Sequence, residues 1–171
     1  MEFRIEKATV EEAQQIADLI EEVYETMPQK EWYVPDNAEY TNAMLASRKG
    51  VVYKAIEEES GEMAAILMAL YPGICEENLG NEIGLSAHQL TEVVHMESAA
   101  VHPKYRGHGL QARLMEVAEQ EARQRNKHYL MCTIHPSNQF SMNNALKLGY
   151  HVMDTKLKYG GKIRNILLKM V

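Results

Sequence analysis

Cysteine is scarce in this chain: two among 171 residues, Cys75 and Cys132, each in an apolar setting and neither in a CxxC pair. That excludes a disulfide-stapled fold, argues against a structural metal, and fits a reducing compartment, so a cytoplasmic protein is expected. No apolar run approaches the ~18 residues that span a bilayer, and the opening MEFRIEKATVEEA is too acidic for a signal peptide. Positive charge is in deficit: 18 Lys and Arg against 24 Asp and Glu give a net charge of −6, unlike a generic nucleic-acid binder. Repeats, low-complexity stretches and linkers are absent as well. What remains is 46% hydrophobic and 25% charged, an ordinary composition for a folded chain, and one domain over residues 1–171 is expected.

Hydrophobic spacing predicts the elements. Phe3 and Ile5 alternate with polar neighbours, which predicts a strand over 2–8. Thr9 to Glu12 has the form of a capping box. It is followed by Val10, Ala13, Ile16, Ala17, Ile20, Val23 and Met27 at helical spacing, a helix over 10–27 that stops before Pro28. A loop over 29–37 and a shorter helix over 38–48 come next. Residues 51–57 and 62–71 then read as a hairpin. Residues 72–90 hold three of the ten glycines without clear period and are expected to form a long loop. Strand 91–101, helix 109–125, strand 128–135 and helix 138–148 follow, and a hairpin of 150–158 with 163–171 closes the chain. The order predicts an α/β (α+β) architecture, a mixed sheet of about seven strands flanked by about four helices, with a parallel section in the second half.

The turn after strand 91–101 carries the most chemistry. In Val101-His-Pro-Lys-Tyr-Arg106-Gly107-His108-Gly109-Leu110-Gln111-Ala112-Arg113, two glycines precede a helix. Glycine permits positive φ and close approach of the backbone to a ligand, and the first N–H groups of a helix converge on an anion. Lys104, Arg106, His108 and Arg113 add positive charge in an otherwise acidic chain, so the segment reads as a pyrophosphate cradle. Gly107 to Ala112 formally matches GxGxxA, the dinucleotide fingerprint. However, the five residues His102–Arg106 separate strand from glycine, and Tyr129–His135 lacks the acidic residue that would hold a ribose. A plain helix start would explain one glycine but not the basic cluster.

The same segment resembles the acyl-CoA motif of the GNAT superfamily of N-acyltransferases, V-x-P-x-[Y/F]-[R/Q]-x-x-G-x-[G/A]. Val101, Pro103, Tyr105, Arg106 and Gly109 fall on it, and Gln111 stands where the pattern has Gly or Ala. A second stretch, Asn138 to Tyr150 with Ser141 and Gly149, is similar to the family's N-x-x-[A/S]-(x)7-G-[F/Y] segment. Here Ala145 replaces the tyrosine that many members use as proton donor to the departing thiolate.

The resemblance implies a sheet splayed at its centre, and acetyl-CoA or another short acyl-CoA as co-substrate with no metal. The cofactor would lie against Arg106, Gly107, His108, Gly109, Leu110, Gln111 and Ala112. Its pantetheine arm would pair with the backbone around Ala99, Ala100 and Val101, near Asn138 and Ser141. An amine on a small molecule or peptide would attack the thioester directly, with no nucleic acid or membrane involved, in a monomer or homodimer. It also implies acceptor contacts from Met27–Tyr40, with Trp32, Tyr33 and Tyr40, and from Pro72–Leu90.

Strand alternation puts His95, Glu97, Ala99 and Val101 on one face, leading toward the expected thioester. Glu97 and His95 are the candidates for taking the ammonium's proton. The plainer reading is a buried ion pair, or a bulge that sends one of them to solvent. His135 is a candidate border residue, or simply a strand end, and the C-terminal cations Lys156, Lys158, Lys162, Arg164 and Lys169 read as a solvated face. A non-catalytic domain that binds acyl-CoA as a sensor is the alternative function, and Ala145 is its support.

Overall fold

A computed structural model describes residues 1–171. Its strands are β1 (Phe3–Lys7), β2 (Gly50–Glu57), β3 (Met63–Leu70), β4 (Val93–Val101), β5 (Tyr129–Ile134), β6 (His151–Lys158) and β7 (Lys162–Met170). Its α-helices are α1 (Ala13–Glu25), α2 (Ala38–Ala46), α3 (Ala87–Leu90), α4 (Leu110–Gln124) and α5 (Gln139–Lys147). All seven strands form one open sheet in the order β1-β2-β3-β4-β5-β7-β6, antiparallel except where β4 runs parallel to β5. The expected mixed sheet is thus observed, with one more α-helix than the four expected.

The helices form where the apolar stripes said they would. α1 buries Ile16, Leu19, Ile20 and Val23, and the Glu12 carboxylate accepts from the Thr9 N–H at 2.9 Å. Its first turn, Val10–Glu12, is wound more tightly as a 3-10 turn, so the α-helix starts later and ends earlier than 10–27. Every residue of MAAILMAL in β3 except the last is buried, because a central strand is covered on both faces. α1 and α2 pack on one face over Val52, Ile66 and Met68. α4 and α5 pack on the other over Ala55, Leu67, Val94 and Leu130.

The expected long loop 72–90 is more ordered than its glycines suggested. Leu79–Ile83 forms a 3-10 turn and α3 follows, its Ser86 hydroxyl accepting from Gln89 N–H at 3.2 Å. The Gln89 side chain returns the bond to Ser86 N–H at 2.8 Å, a capping box the sequence spells as Ser-x-x-Gln. Buried Asn78 ties the segment down by donating to Gly73 O at 2.7 Å and Leu90 O at 3.0 Å.

Two irregularities of β4 shape the centre of the molecule. Leu67 pairs with Ala99 and Ala69 with Met96, so the two residues Glu97 and Ser98 oppose Met68 alone. This is a β-bulge, and it reverses which face the side chains point to. Val94 and Met96 before it, and Ala99 and Val101 after it, all face α4, while Ala100 faces α1. His95 therefore does not share a face with Ala99 and Val101, which corrects the simple alternation. On its other edge β4 pairs with β5 at three positions only, Val93–Tyr129, Val94–Leu130 and His95–Met131. Beyond His95 the two strands part, and the backbone of β4 is open on that side.

Candidate active site

The seam where β4 and β5 part passes through the sheet. It is bordered by Met96, Glu97 and Ala99 of β4 and Cys132, Thr133 and Ile134 of β5. Gln111 and Met115 of α4 and Asn138, Ser141 and Ala145 of α5 line one face, and Trp32 and Tyr33 the other. A thin, extended group entering from the α4–α5 face would meet unpaired strand backbone, and anything entering from the α1–α2 face would meet its end.

The mouth on the α4 side is the predicted cradle. Gly107 and Gly109 adopt φ of +85° and +68°, and a Cβ on either would touch nothing within 4 Å. Their freedom therefore serves backbone conformation and leaves the space above open. No N–H from Gly107 to Ala112 has a hydrogen-bond partner within the protein, and α4 begins without a capping side chain. Six unpaired donors at a helix start are the arrangement that favours an anion. Tyr105 anchors this turn from below: its ring meets Phe3 edge-on at 5.7 Å and its hydroxyl donates to Glu62. The basic cluster is only partly free. Lys104 pairs with Glu62 at 2.7 Å, Arg113 donates to Phe3 O at 3.2 Å, and the His108 ring lies 5.3 Å from that of Phe3. Arg106 is exposed and rests on the Thr26 hydroxyl at 3.2 Å. Leu110 buries its side chain in the core and presents only its backbone.

Gln111, the departure from the motif, faces the seam and accepts from Asn144 Nδ2 at 3.4 Å, joining α4 to α5. Asn138 caps α5 through Ser141 N–H at 3.4 Å, and both border the seam. Ala145, buried at 1% exposure, puts no hydroxyl at its own position, so Ser141 is the hydroxyl-bearing residue of α5 on this wall.

At the centre, Glu97 turns its side chain inward from the bulge. The residue is exposed through its backbone while the side chain keeps only 26% of its surface free. Tyr40 of α2 donates to its Oε2 at 2.9 Å. Burial, with the charge of Asp36 adding to it, holds the Glu97 carboxyl above the usual range despite the Tyr40 bond. Buried His95 accepts from Leu79 N–H at its Nε2, 3.0 Å away, which leaves the proton on Nδ1, 4.0 Å from Glu97 Oε1. Burial, aided by Lys158, pulls its pKa down to about 4, so near neutral pH it is an uncharged donor toward Glu97. Cys132 is inert, its thiol pushed up to about 12 by burial.

Trp32, Tyr33, Asp36, Tyr40, Tyr159 and Arg164 surround Glu97 on the α1–α2 face. Asp36 and Tyr159 carried no signal in the sequence, being a loop residue without periodicity and a turn residue distant in the chain. Arg164, expected on a solvated face, is 3% exposed and donates to Glu31 O at 2.7 Å. Its neighbours Lys156 and Lys158 pair with Glu82 at 2.6 and 2.8 Å. His135 accepts from Ser137 N–H at 3.0 Å and lies 6.2 Å from the Trp32 ring, at the border of this pocket.

The model of the acetyltransferase (GNAT) family matches residues 14–150. No curated protein matches significantly. Among solved structures the chain is similar to the ribosomal-protein-S18-alanine N-acetyltransferase of Escherichia coli, at 15% identity and TM-score 0.72, over 99% of this chain and 94% of that one. It is similar to yncA of Salmonella typhimurium, solved with its cofactor acetyl-CoA, at 19% identity and TM-score 0.72, over 98% and 93%. A chain of the NatC complex bound to Gag peptide and CoA aligns at 15% identity and TM-score 0.75, over 100% and 99%. At such identities the likeness to solved structures speaks for the fold.

Proposed function

Because this chain belongs to the GNAT acetyltransferase family, we propose that it moves an acetyl or other short acyl group from acyl-CoA to an amine by direct attack, acting in the cytoplasm. The observation that carries the reading is the seam itself. An anion cradle of six free N–H groups stands at one mouth, open strand backbone runs inward, and a carboxylate with raised proton affinity sits at the inner end. In this reading the backbone of Arg106–Ala112 holds the diphosphate of CoA, and Ala99, Ala100 and Val101 pair with the pantetheine amides. Asn138 and Ser141 flank that arm from α5. Glu97 takes the proton from the incoming ammonium, Tyr40 orients it by donating to Oε2, and neutral His95 stands beside it with Nδ1 4.0 Å away. The amine nitrogen attacks the thioester carbonyl, the C–S bond breaks with its electron pair on sulfur, and the second proton of the attacking nitrogen passes through water to the thiolate, so that CoA leaves as the thiol. The similarity to a NatC complex chain solved with Gag peptide and to a ribosomal-protein-alanine N-acetyltransferase supports an amine on a small molecule or peptide as acceptor. Ala145 favours one second reading, a domain that binds acyl-CoA without turning it over.

Acetyl-CoA at one hundredfold above its Kd is expected to raise Tm by roughly 5 to 10 °C in a chain of this size. Gly109→Asp places a carboxylate in the cradle at a φ that Asp tolerates better than most residues, and is expected to cancel the shift. An unchanged Tm with acetyl-CoA and with CoA overturns both readings. Free thiol released by some member of an amine panel, with the matching mass gain on the amine, selects the enzyme over the sensor.

A further inference from the structure

On the α1–α2 side of the seam the charges do not close. Asp36, in the segment between α1 and α2, reaches β4 and accepts a hydrogen bond from Ser98 Oγ. Glu97, one residue before Ser98, accepts from Tyr40. Both donors are neutral hydroxyls. Asp36 forms no ion pair, and Glu97 pairs with no lysine or arginine: neutral His95 stands 4.0 Å from it, and Lys158, which borders an adjoining pocket with both, is paired with Glu82. Arg164, the guanidinium lining the same pocket, gives its hydrogen bonds to Ile163 O and Glu31 O and pairs with neither carboxylate. With both carboxyls ionised, two carboxylates against one guanidinium leave the pocket one negative charge in excess, and burial raises the proton affinity of both. The rings of Trp32, Tyr33, Tyr40 and Tyr159 wall it, and the Tyr33 hydroxyl is fully buried without a hydrogen-bond partner. Covered carboxylates without a cation are costly, and a cationic ligand removes that cost. Aromatic faces favour the same kind of ligand.

We infer that Asp36 is a specificity-determining residue for the acceptor, holding the amine as a primary alkylammonium with its hydrocarbon body against the rings. This rests on the acyl-transfer reading above. Burial holds the Asp36 carboxyl above its ordinary range, with the Ser98 bond working against that shift, and the charge of Asp36 adds in turn to the proton affinity of Glu97. The two carboxylates thus divide the work. A bound ammonium favours the ionised form of Asp36, which holds the cation from the position that Ser98 fixes. Glu97 takes one proton: an N–H bond of the ammonium breaks, its electron pair stays on nitrogen, and the proton ends on the Glu97 carboxylate.

The test uses calorimetry on the protein alone, with benzylamine, a cation at neutral pH, and benzyl alcohol, its uncharged isostere. The wild type is expected to bind benzylammonium roughly tenfold or more tightly than the alcohol. Asp36→Asn is expected to bring that ratio to about one while leaving the acetyl-CoA thermal shift intact. Ser98→Ala keeps the charge but frees its carrier. It is expected to lose part of the preference, and it stands in if Asp36→Asn does not fold. Equal wild-type affinities, no binding of benzylammonium, or an undiminished preference in Asp36→Asn overturns the inference. Preference for the cation without any acyl-CoA shift would leave the charge site standing and overturn the acyl-transfer reading instead.

Discussion

Glu97 combines three properties in one side chain: it ends at the inner end of the seam, it is largely covered, and its proton affinity is raised. A base works only when ionised, so kcat/KM is expected to climb as pH rises through a value above the ordinary glutamate pKa of about 4.3. Glu97→Gln keeps the shape and removes the charge. It is expected to lower kcat by about 10²-fold and to erase that acid limb in a pH–rate measurement. An unchanged profile would show that the proton leaves by another route. Ala145 puts no acid on α5, so the alkaline limb is expected to be weak or absent, and a sharp alkaline fall would reveal a titrating donor elsewhere. The candidate residues on β4 were legible only because residue types there are rare and suggestive. Their orientation was not, since alternation predicted one face where the bulge provides two. For Asp36 only its segment, Met27–Tyr40, was legible, because nothing local distinguishes a loop carboxylate that folds back onto a strand from one in solvent.

Elements with a strong period were readable: the stripe of α1, the continuous apolar run of β3, the glycine before α4. The β4 bulge was not, because it is decided by the register with β3 and Met-Glu-Ser-Ala-Ala contains no Gly or Pro to mark it. The segment 72–90 hid a capping box under its glycines, and its 3-10 turn depends on a distant residue, since Leu79 N–H is held by His95. That bond makes His95 a joint between the strand and the segment that borders the acceptor side. A histidine held neutral by burial, with pKa near 4 against about 6.5 when unfolded, binds its proton more weakly in the folded state. Its contribution to stability is therefore complete above about 6.5 and declines as pH falls toward 4. His95→Ala strands a buried N–H and is expected to cost about 1–3 kcal/mol at neutral pH. In denaturant titrations at several pH values it is also expected to flatten the loss between those two pKa values. An equally steep acid loss in the variant would assign that titration to another group.

At the scale of the whole molecule, β1–β4 and β5–β7 are two blocks of sheet joined along three backbone pairs, with α4 and α5 packed on one face of the join. Sequence order and helix count pointed to this layout. The degree of parting did not follow from spacing, since β4 and β5 are each complete strands and differ only in how long they stay together. A sheet opened at its middle leaves donors unpaired in two places, along the free edge of β4 beyond His95 and across Gly107–Ala112. Unbonded amides exchange quickly, and a ligand that accepts from them slows exchange there first. Hydrogen-exchange mass spectrometry with and without acetyl-CoA is thus expected to give its largest protection in peptides covering residues 96–112. The β1–β2 ladder, already paired throughout β1, is expected to change little. Uniform protection over the chain would mean that the ligand acts by general stabilisation rather than by completing the seam. Protection confined to another region would place the acyl-CoA site elsewhere.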